Sequence, residues 1–387
     1  MPARNSRWAV DVLEGGSTSS QPASWLKVES TARKVAGIFL ALDPAVTLLD
    51  GADVSSRTLT SFVFPEIETS EDGFTQLHIV NPQASPNQTT LELVSADGHV
   101  RARADRAIAA NGWVAELVAE LFPGITPQSS DYIRPTATLG VVAFEFLGRN
   151  GRFVQGLNGQ DTASGATTLY SPQYVVGVPI LSSTLSVVNL DDASGVVTLR
   201  FIGDDGSVIS TQQQPISPRG KLLVADQSFQ PTSSVQMAGY VEVISNGPRL
   251  AGSVVFGDRA RSTFSSALAL VANLHSDMIF AQVGSAEGSS PSWFTGLALL
   301  NPGSTNADAK VQIFAPDGAI VSSGTFVIPP KERRSQLLTE YFPELVGRDM
   351  LGGYIRVTTN QPLASFVLFG TGTLSVLSEV PPQVVDK

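Results

Sequence analysis

The feature that most constrains this chain is that it repeats itself. Phe74-Thr75-Gln76-Leu77-His78-Ile79-Val80-Asn81-Pro82 recurs as Phe294-Thr295-Gly296-Leu297-Ala298-Leu299-Leu300-Asn301-Pro302, with a weaker copy at Ser183-Thr184-Leu185-Ser186-Val187-Val188-Asn189-Leu190. From each of Asn81, Asn189 and Asn301 a glycine follows 17 residues later, at Gly98, Gly206 and Gly318. Each of these glycines is preceded by Asp97, Asp205 or Asp317. Self-similarity at a fixed period is the signature of units stacked along a chain, so the fold of one unit sets the fold of the whole.

The register continues past the turn. Leu121-Phe122-Pro123 matches Tyr341-Phe342-Pro343, with Phe229-Gln230-Pro231 between them. Strands opening on Tyr132, Tyr240 and Tyr354 come next, and a fourth copy of that element opens on Trp25. The steps from Trp25 through the three tyrosines are 107, 108 and 114 residues, a period of one ordinary domain. Openings at Phe62-Val63-Phe64-Pro65, Leu169-Tyr170-Ser171-Pro172 and Met278-Ile279-Phe280-Ala281 divide the 387 residues. They give domains at 60–167, 168–276 and 277–387, a partial unit at 25–59, and a Gly/Ser-rich flexible lead at 1–24.

Within each unit the apolar residues alternate with polar ones, the period of a half-buried strand. Leu91 and Leu93 alternate with Thr90 and Glu92; Val197, Leu199 and Phe201 with Thr198 and Arg200; Val311 and Ile313 with Lys310 and Gln312. The Asp-Gly dipeptides read as hairpin turns. One segment differs: Trp113–Phe122 has helical spacing and good helix formers before Pro123, and Ser335–Phe342 is its counterpart before Pro343. The expectation is one short helix or helical turn per unit. Seven or eight strands per unit predict an all-β chain of tandem immunoglobulin-like antiparallel β-sandwiches. The alternative is a β-propeller, with each unit split into two blades; the two halves of a unit share no motif, which favours the sandwich.

The Phe-Thr-Gly-Leu-Ala-Leu-Leu-Asn-Pro start, the Pro-Asp-Gly turn, the Tyr-Phe-Pro helix end and the Gly-Tyr-Ile-Arg-Val strand together resemble a repeat type of large secreted or surface-exposed bacterial proteins. The resemblance covers nearly the whole chain and is weakest in the second unit, where Leu190 stands in place of the motif's proline. It implies an extracellular or cell-surface location and a structural or adhesive role, and it brings no catalytic residues with it.

Composition excludes several chemistries. With 25 Lys and Arg against 35 Asp and Glu the formal charge is −10, unsuited to the phosphate contacts of nucleic-acid binding. No cysteine is present, which removes disulfides, thiolate metal sites and cysteine nucleophiles. No apolar run is long enough for a transmembrane helix, and the basic N-terminus has no apolar segment behind it to make a signal peptide.

No residue cluster points to a reaction. His78 and His99 sit where the other copies carry Ser186, Ala298, Ser207 and Ala319, and with His275 they read as surface histidines. Asp191-Asp192 and Asp204-Asp205 could offer oxygens to calcium but read as turn residues. Asn87-Gln88-Thr89 fits a glycosylation triplet that chance alone supplies. The repeated Asn81, Asn189 and Asn301 read as structural, each setting the turn after its strand. Trp25, Tyr132, Tyr240 and Tyr354 share one register position, which argues for core or interface and against a carbohydrate platform. The expectation is a non-enzymatic extracellular repeat protein without metal or cofactor, whose partner is itself or another surface protein. The alternative is a carbohydrate- or protein-binding accessory module of a larger secreted protein. Half a sandwich at 25–59 exposes apolar faces and strand edges, so it must pack in its own chain, belong to a longer one, or be completed by another molecule in a head-to-tail filament.

Overall fold

The computed structural model describes residues 25–31, 35–43, 45–177, 180–229 and 237–384. The expected flexible lead at 1–24 and the Gln230-Pro231 part of the middle unit's motif lie outside them. The chain is all-β, as the alternation predicts. After an N-terminal hairpin, β1 (Ile38–Leu42) and β2 (Leu49–Asp53), the first domain holds β3 (Leu59–Val63), β4 (Gly73–Val80), β5 (Asn87–Val94), β6 (Val100–Ile108), β7 (Trp113–Leu117), α1 (Val118–Leu121), β8 (Tyr132–Arg149), β9 (Phe153–Asn158) and β10 (Gln160–Asp161). The second holds β11 (Thr168–Val176), β12 (Leu181–Asn189), β13 (Gly195–Gly203), β14 (Val208–Ile216), β15 (Lys221–Ala225), β16 (Met237–Ser245), β17 (Leu250–Asp258) and β18 (Ser265–Ala269). The third holds β19 (His275–Phe280), β20 (Gly284–Ser285), β21 (Trp293–Leu300), β22 (Ala307–Phe314), β23 (Ile320–Ile328), β24 (Arg333–Leu337), α2 (Leu338–Tyr341), β25 (Met350–Leu351), β26 (Tyr354–Thr371), β27 (Leu377–Val380) and β28 (Gln383–Val384).

Each domain is the same pair of antiparallel sheets. One sheet has the order β3-β8-β5-β6, repeated as β11-β16-β13-β14 and β19-β26-β22-β23. The facing sheet is β7-β4-β8-β9, repeated as β15-β12-β17-β18 and β24-β21-β26-β27. β8 and β26 are long enough to serve both sheets. β8 pairs with β5 over Tyr132–Ala137 and with β4 over 142–149, so a single strand crosses the corner of the sandwich. In the second domain the same path is cut into β16 and β17 at Asn246–Arg249, where Pro248 has no amide hydrogen for a ladder and Gly247 gives its own to Ser245 Oγ. The alternating residues behave as their period demands: Leu91, Leu93, Val197, Leu199, Phe201, Val311 and Ile313 are all buried. Single-sheet blades, as a propeller requires, are not what these units form.

The helical expectation fails over half its length. Trp113–Leu117 and Arg333–Leu337 are strands paired to β4 and β21, and only the four residues that follow are helical. The second domain has a 3-10 turn at Asp226–Ser228 instead. Helix propensity at this site is worth tenths of a kcal/mol per residue, whereas the free edge of β4 offers a full row of backbone partners.

The partial unit packs within its own chain. Its copy of the tyrosine strand, Trp25–Ser30, pairs with no described strand, and only the last two strands of a unit form, as the β1–β2 hairpin. Leu49 joins the core of the third domain, with Ile38, Leu40 and Val46 against it. Phe39 covers the outside of the first domain, its ring 4.8 Å from Phe144 and 6.1 Å from Phe146. The last full strands of the units, β9, β18 and β27, lie against one another, with β2 filling the gap between β9 and β27. Phe201 sits at the centre of the second core among Tyr174 and Phe229. Phe201→Ala is expected to cost about 3–5 kcal/mol in urea unfolding, the range for an emptied aromatic site.

Candidate interdomain docking sites

The repeated aromatic position is where one unit meets the next. Tyr132 Oη donates to the carbonyl of Arg219 at 2.8 Å, and Tyr240 Oη donates to that of Lys331 at 2.8 Å. Trp25 Nε1 donates to the carbonyl of Asn111, also at 2.8 Å. Asn111, Arg219 and Lys331 occupy one register position, and all three have left-handed backbones, with φ of 54°, 54° and 63°. That conformation is unusual for a residue with a Cβ, and here it turns a carbonyl outward to the preceding unit. Tyr132 and Tyr240 are fully buried in small apolar clusters that bridge domains, the first with Val63, Val94, Val188 and Leu190, the second with Ile202, Leu300 and Ala364. Burial raises both phenol pKa values, so each hydroxyl stays a donor. Tyr354 is half-buried and stacks on Phe314 at 4.5 Å.

The repeated asparagines brace these left-handed turns. Asn81 Nδ2 donates to the carbonyls of Ser85, Ile108 and Ala109, while its Oδ1 accepts from Gln83 N. Asn189 joins Ala193 to Ser217, and Asn301 joins Thr305 to Ile328, in the same way. Each side chain therefore ties its own turn to the docking turn some 28 residues later in sequence. The Asp-Gly turns press on the neighbour: Gly98 has φ of +89°, and a Cβ there would fall 1.9 Å from the carbonyl oxygen of Pro218. Gly206, at φ of +79°, lies against Lys331 in the corresponding place, and Gly318 has φ of +86°.

Two residues past each docking turn stands a side chain that the repeat comparison did not single out. Lys221 is 3% exposed, and its ammonium donates to the carbonyls of Pro65 at 2.6 Å, Ser129 at 2.8 Å and Asp131 at 3.1 Å, all in the first domain. Arg333 is 5% exposed and donates to the carbonyl of Pro172 at 2.9 Å, to Gln173 Oε1 at 2.7 Å and to Asp204 Oδ1 at 2.7 Å in the second. Their backbone amides bond to Ala96 and Asp204, equivalent positions beside the Asp-Gly turns. Each cation thus plugs the open end of the preceding sandwich. Burial lowers the pKa of Lys221, opposed by the carboxylates of Glu66, Glu145 and Asp131. Burial, then Glu66, pushes the carboxyl of Glu145 well above its usual range, with Lys221 opposing. Trp113 holds this register position in the first domain, so the pattern alone did not mark it as a cation site.

The remaining candidates are dispersed. His78 departs from the surface expectation: it stacks on Phe144 at 4.5 Å beneath the hairpin, and burial lowers its pKa to about 4. His99 is exposed beside Asp97, and His275 lies in β19. Asp191 is held by Arg249 and Asp204 by Arg333. Asn87 is fully buried, its amide donating to the carbonyl of Leu139 at 2.8 Å, so the glycosylation triplet is closed to a sugar. Among the described residues no three His, Asp or Glu side chains are grouped so as to hold a metal ion. Compared with known families and with curated proteins, the chain matches none.

The seam between the hairpin and its neighbours is acidic. Buried Asp50 accepts from Gly156 N at 3.0 Å and from Ser378 Oγ, and Asp53 accepts from Gln383 Nε2 at 3.2 Å. Burial raises the carboxyls of Asp50 and Asp53 from 3.8 to about 7, and Glu379 is raised by burial and by those two neighbours. A carboxyl raised on folding retains a proton that the unfolded chain has released. The seam's contribution is therefore whole below about pH 4 and falls as the pH climbs to about 7.

Two outcomes follow from this geometry. Lys221→Met is expected to destabilise the chain by about 3–5 kcal/mol in urea, because it leaves the buried carbonyls of Pro65, Ser129 and Asp131 without their donor, whereas Tyr132→Phe costs about 1 kcal/mol for one hydrogen bond. Asp50→Asn is expected to flatten the fall in urea midpoint between pH 5 and pH 7, leaving a smaller slope than the parent chain shows.

Proposed function

We propose that this is a non-enzymatic structural or adhesive repeat protein of the bacterial exterior, whose work is done by sandwiches fixed rigidly to one another. The observation that carries the reading is the repeated junction. Tyr132 and Tyr240 dock on the left-handed turns of the next domain, and Lys221 and Arg333 plug the preceding sandwich. Polar groups that an enzyme would point into a cleft are here spent between domains. The location rests on the resemblance of the motifs to immunoglobulin-like repeats of secreted and surface bacterial proteins.

The reading extends to self-association as a filament subunit through the incomplete N-terminal unit. The hairpin's contacts with the third domain, through Leu49, Gly37 and Gln383, join residues far apart in sequence. The same contacts made to the third domain of another copy would be a strand exchange, and because that contact is heterologous it propagates head to tail. The test is sedimentation and negative-stain imaging of the concentrated full chain beside a variant that starts at residue 60, both checked for β content by circular dichroism. Filaments or large oligomers are expected from the full chain alone. Monomers from both would refute assembly through the hairpin.

A further inference from the structure

An asparagine followed by glycine carries a reaction of its own. The backbone nitrogen of the glycine attacks the side-chain carbonyl carbon of the asparagine. A new C–N bond forms, and the side-chain nitrogen leaves as ammonia, taking the proton that the glycine nitrogen gives up. The product is a succinimide ring. Water then opens either of its two acyl C–N bonds, giving aspartate or isoaspartate. Glycine permits the ring because it has no Cβ to crowd it. The chain has four such dipeptides: Asn111-Gly112, Asn150-Gly151, Asn158-Gly159 and Asn246-Gly247.

In three of the four the attacking amide is already committed. Gly112 N donates to the carbonyl of Ala109 at 2.9 Å, Gly159 N to that of Ala143 at 2.9 Å, and Gly247 N to Ser245 Oγ at 3.2 Å. Two of these asparagines are held by their side chains as well. Asn158 Oδ1 accepts from Asp53 N at 2.9 Å while its Nδ2 donates to the Asp53 carbonyl at 3.2 Å, and Asn246 Oδ1 accepts from Val196 N at 2.9 Å. The third, Asn111, has its backbone fixed at φ of 54° in the docking turn beside Trp25.

Asn150-Gly151 is built differently. It is the tip of the turn between β8 and β9. Arg152 N closes that turn by donating to the carbonyl of Arg149 at 3.0 Å, and Asn150 N steadies it by donating to that of Asp72 at 3.1 Å. Asn150 and Gly151 are both exposed. Among the described residues nothing hydrogen-bonds the Asn150 side chain or the Gly151 amide. A Cβ placed on Gly151, whose φ is +68°, would meet no atom within 4 Å. The turn's own bonds therefore hold the dipeptide in place while its two reacting groups face solvent.

We propose that Asn150 is a self-modification site: in the folded protein it converts to aspartate and isoaspartate through the succinimide, ahead of the other three asparagines. The chain and water are the only reactants. Either product adds one negative charge to the tip of the first domain, between Arg149 and Arg152 in sequence. Isoaspartate also lengthens the main chain by one carbon, inside the turn that Arg152 closes on Arg149. The fold makes the selection, because it locks three dipeptides that the unfolded chain leaves free to react.

The test is peptide mapping by mass spectrometry after the full chain is incubated in mildly alkaline buffer, beside the same chain held unfolded in urea. In the folded chain a gain of one mass unit is expected at Asn150 about tenfold faster than at the other three, the worth of the hydrogen bond that each of their glycine amides must first break. Its rate should rise in proportion to hydroxide, since the attacking nitrogen must give up its proton. In urea all four are expected to react. Asn150→Gln, which would have to close a larger ring, is expected to abolish the change in its own peptide and leave the other three peptides as in the parent chain. Isoelectric focusing reads the same event as an acidic band that this variant does not produce. No gain at Asn150 in the folded chain while the urea sample reacts there would overturn the proposal. So would a gain at Asn111, Asn158 or Asn246 that keeps pace with it in the folded chain.

Discussion

Everything in this molecule beyond the single sandwich depends on a carbonyl pointed the wrong way. Asn111, Arg219 and Lys331 hold left-handed backbones so that an oxygen otherwise directed into its own turn faces the preceding unit. Such a residue costs of order 1 kcal/mol or more, and it persists only where its surroundings over-determine it. The bracing asparagine and the aromatic donor do so from opposite sides. A cation then enters the end of the neighbouring sandwich, where losing water is affordable only because three carbonyls, or a carbonyl, an amide and a carboxylate, replace that water. Each element of the junction makes sense only with the others present, so the junction forms as a unit.

The hairpin shows what the same logic does with half a unit. Alone, β1 and β2 would expose apolar residues on both faces, and an isolated two-stranded ribbon is marginal at best. Here Leu49 is taken into the core of the third domain while Phe39 closes over Phe144 and Phe146 of the first. The apolar gain is set against the burial of Asp50, Asp53 and Glu379 on adjacent strands, each favouring its neutral form. The internal junctions instead place cations against carbonyls and carboxylates. The seam that joins the ends of the chain is therefore chemically unlike the junctions within it, and more responsive to pH.

Much of the fold was legible because its determinants are local. Strand alternation at Leu91 and Leu93, Asp-Gly at each hairpin and Asn at each strand end announce themselves within a few residues. Trp113–Leu117 misled because its composition is helical while its partner, the edge of β4, lies more than thirty residues away. Lys221 and Arg333 were hidden for another reason: their register position holds Trp113 in the first domain, and a lone charge in a β-repeat ordinarily faces solvent. His78 was hidden because the ring stacked on it, Phe144, belongs to the paired strand β8, which no motif in its own strand could reveal. The aromatic series from Trp25 to Tyr354 was the one long-range feature that could be read, since its repetition at domain spacing left only core or interface as an explanation.

The three realised junctions are not equal, and the inequality has a direction. At the two internal junctions the aromatic donor is buried with apolar neighbours and a plugged cation. At the first, Trp25 reaches Asn111 through a solvent-exposed hydrogen bond, Trp113 replaces the cation, and Leu26 and Val28 are exposed alongside. An exposed hydrogen bond competes with water at nearly equal energy, whereas a buried ammonium on three carbonyls has no alternative partner. Thermal opening therefore begins at Trp25 and reaches the internal junctions last. A chain built this way holds its three domains through the two buried junctions, and the Trp25 segment is the part held least firmly.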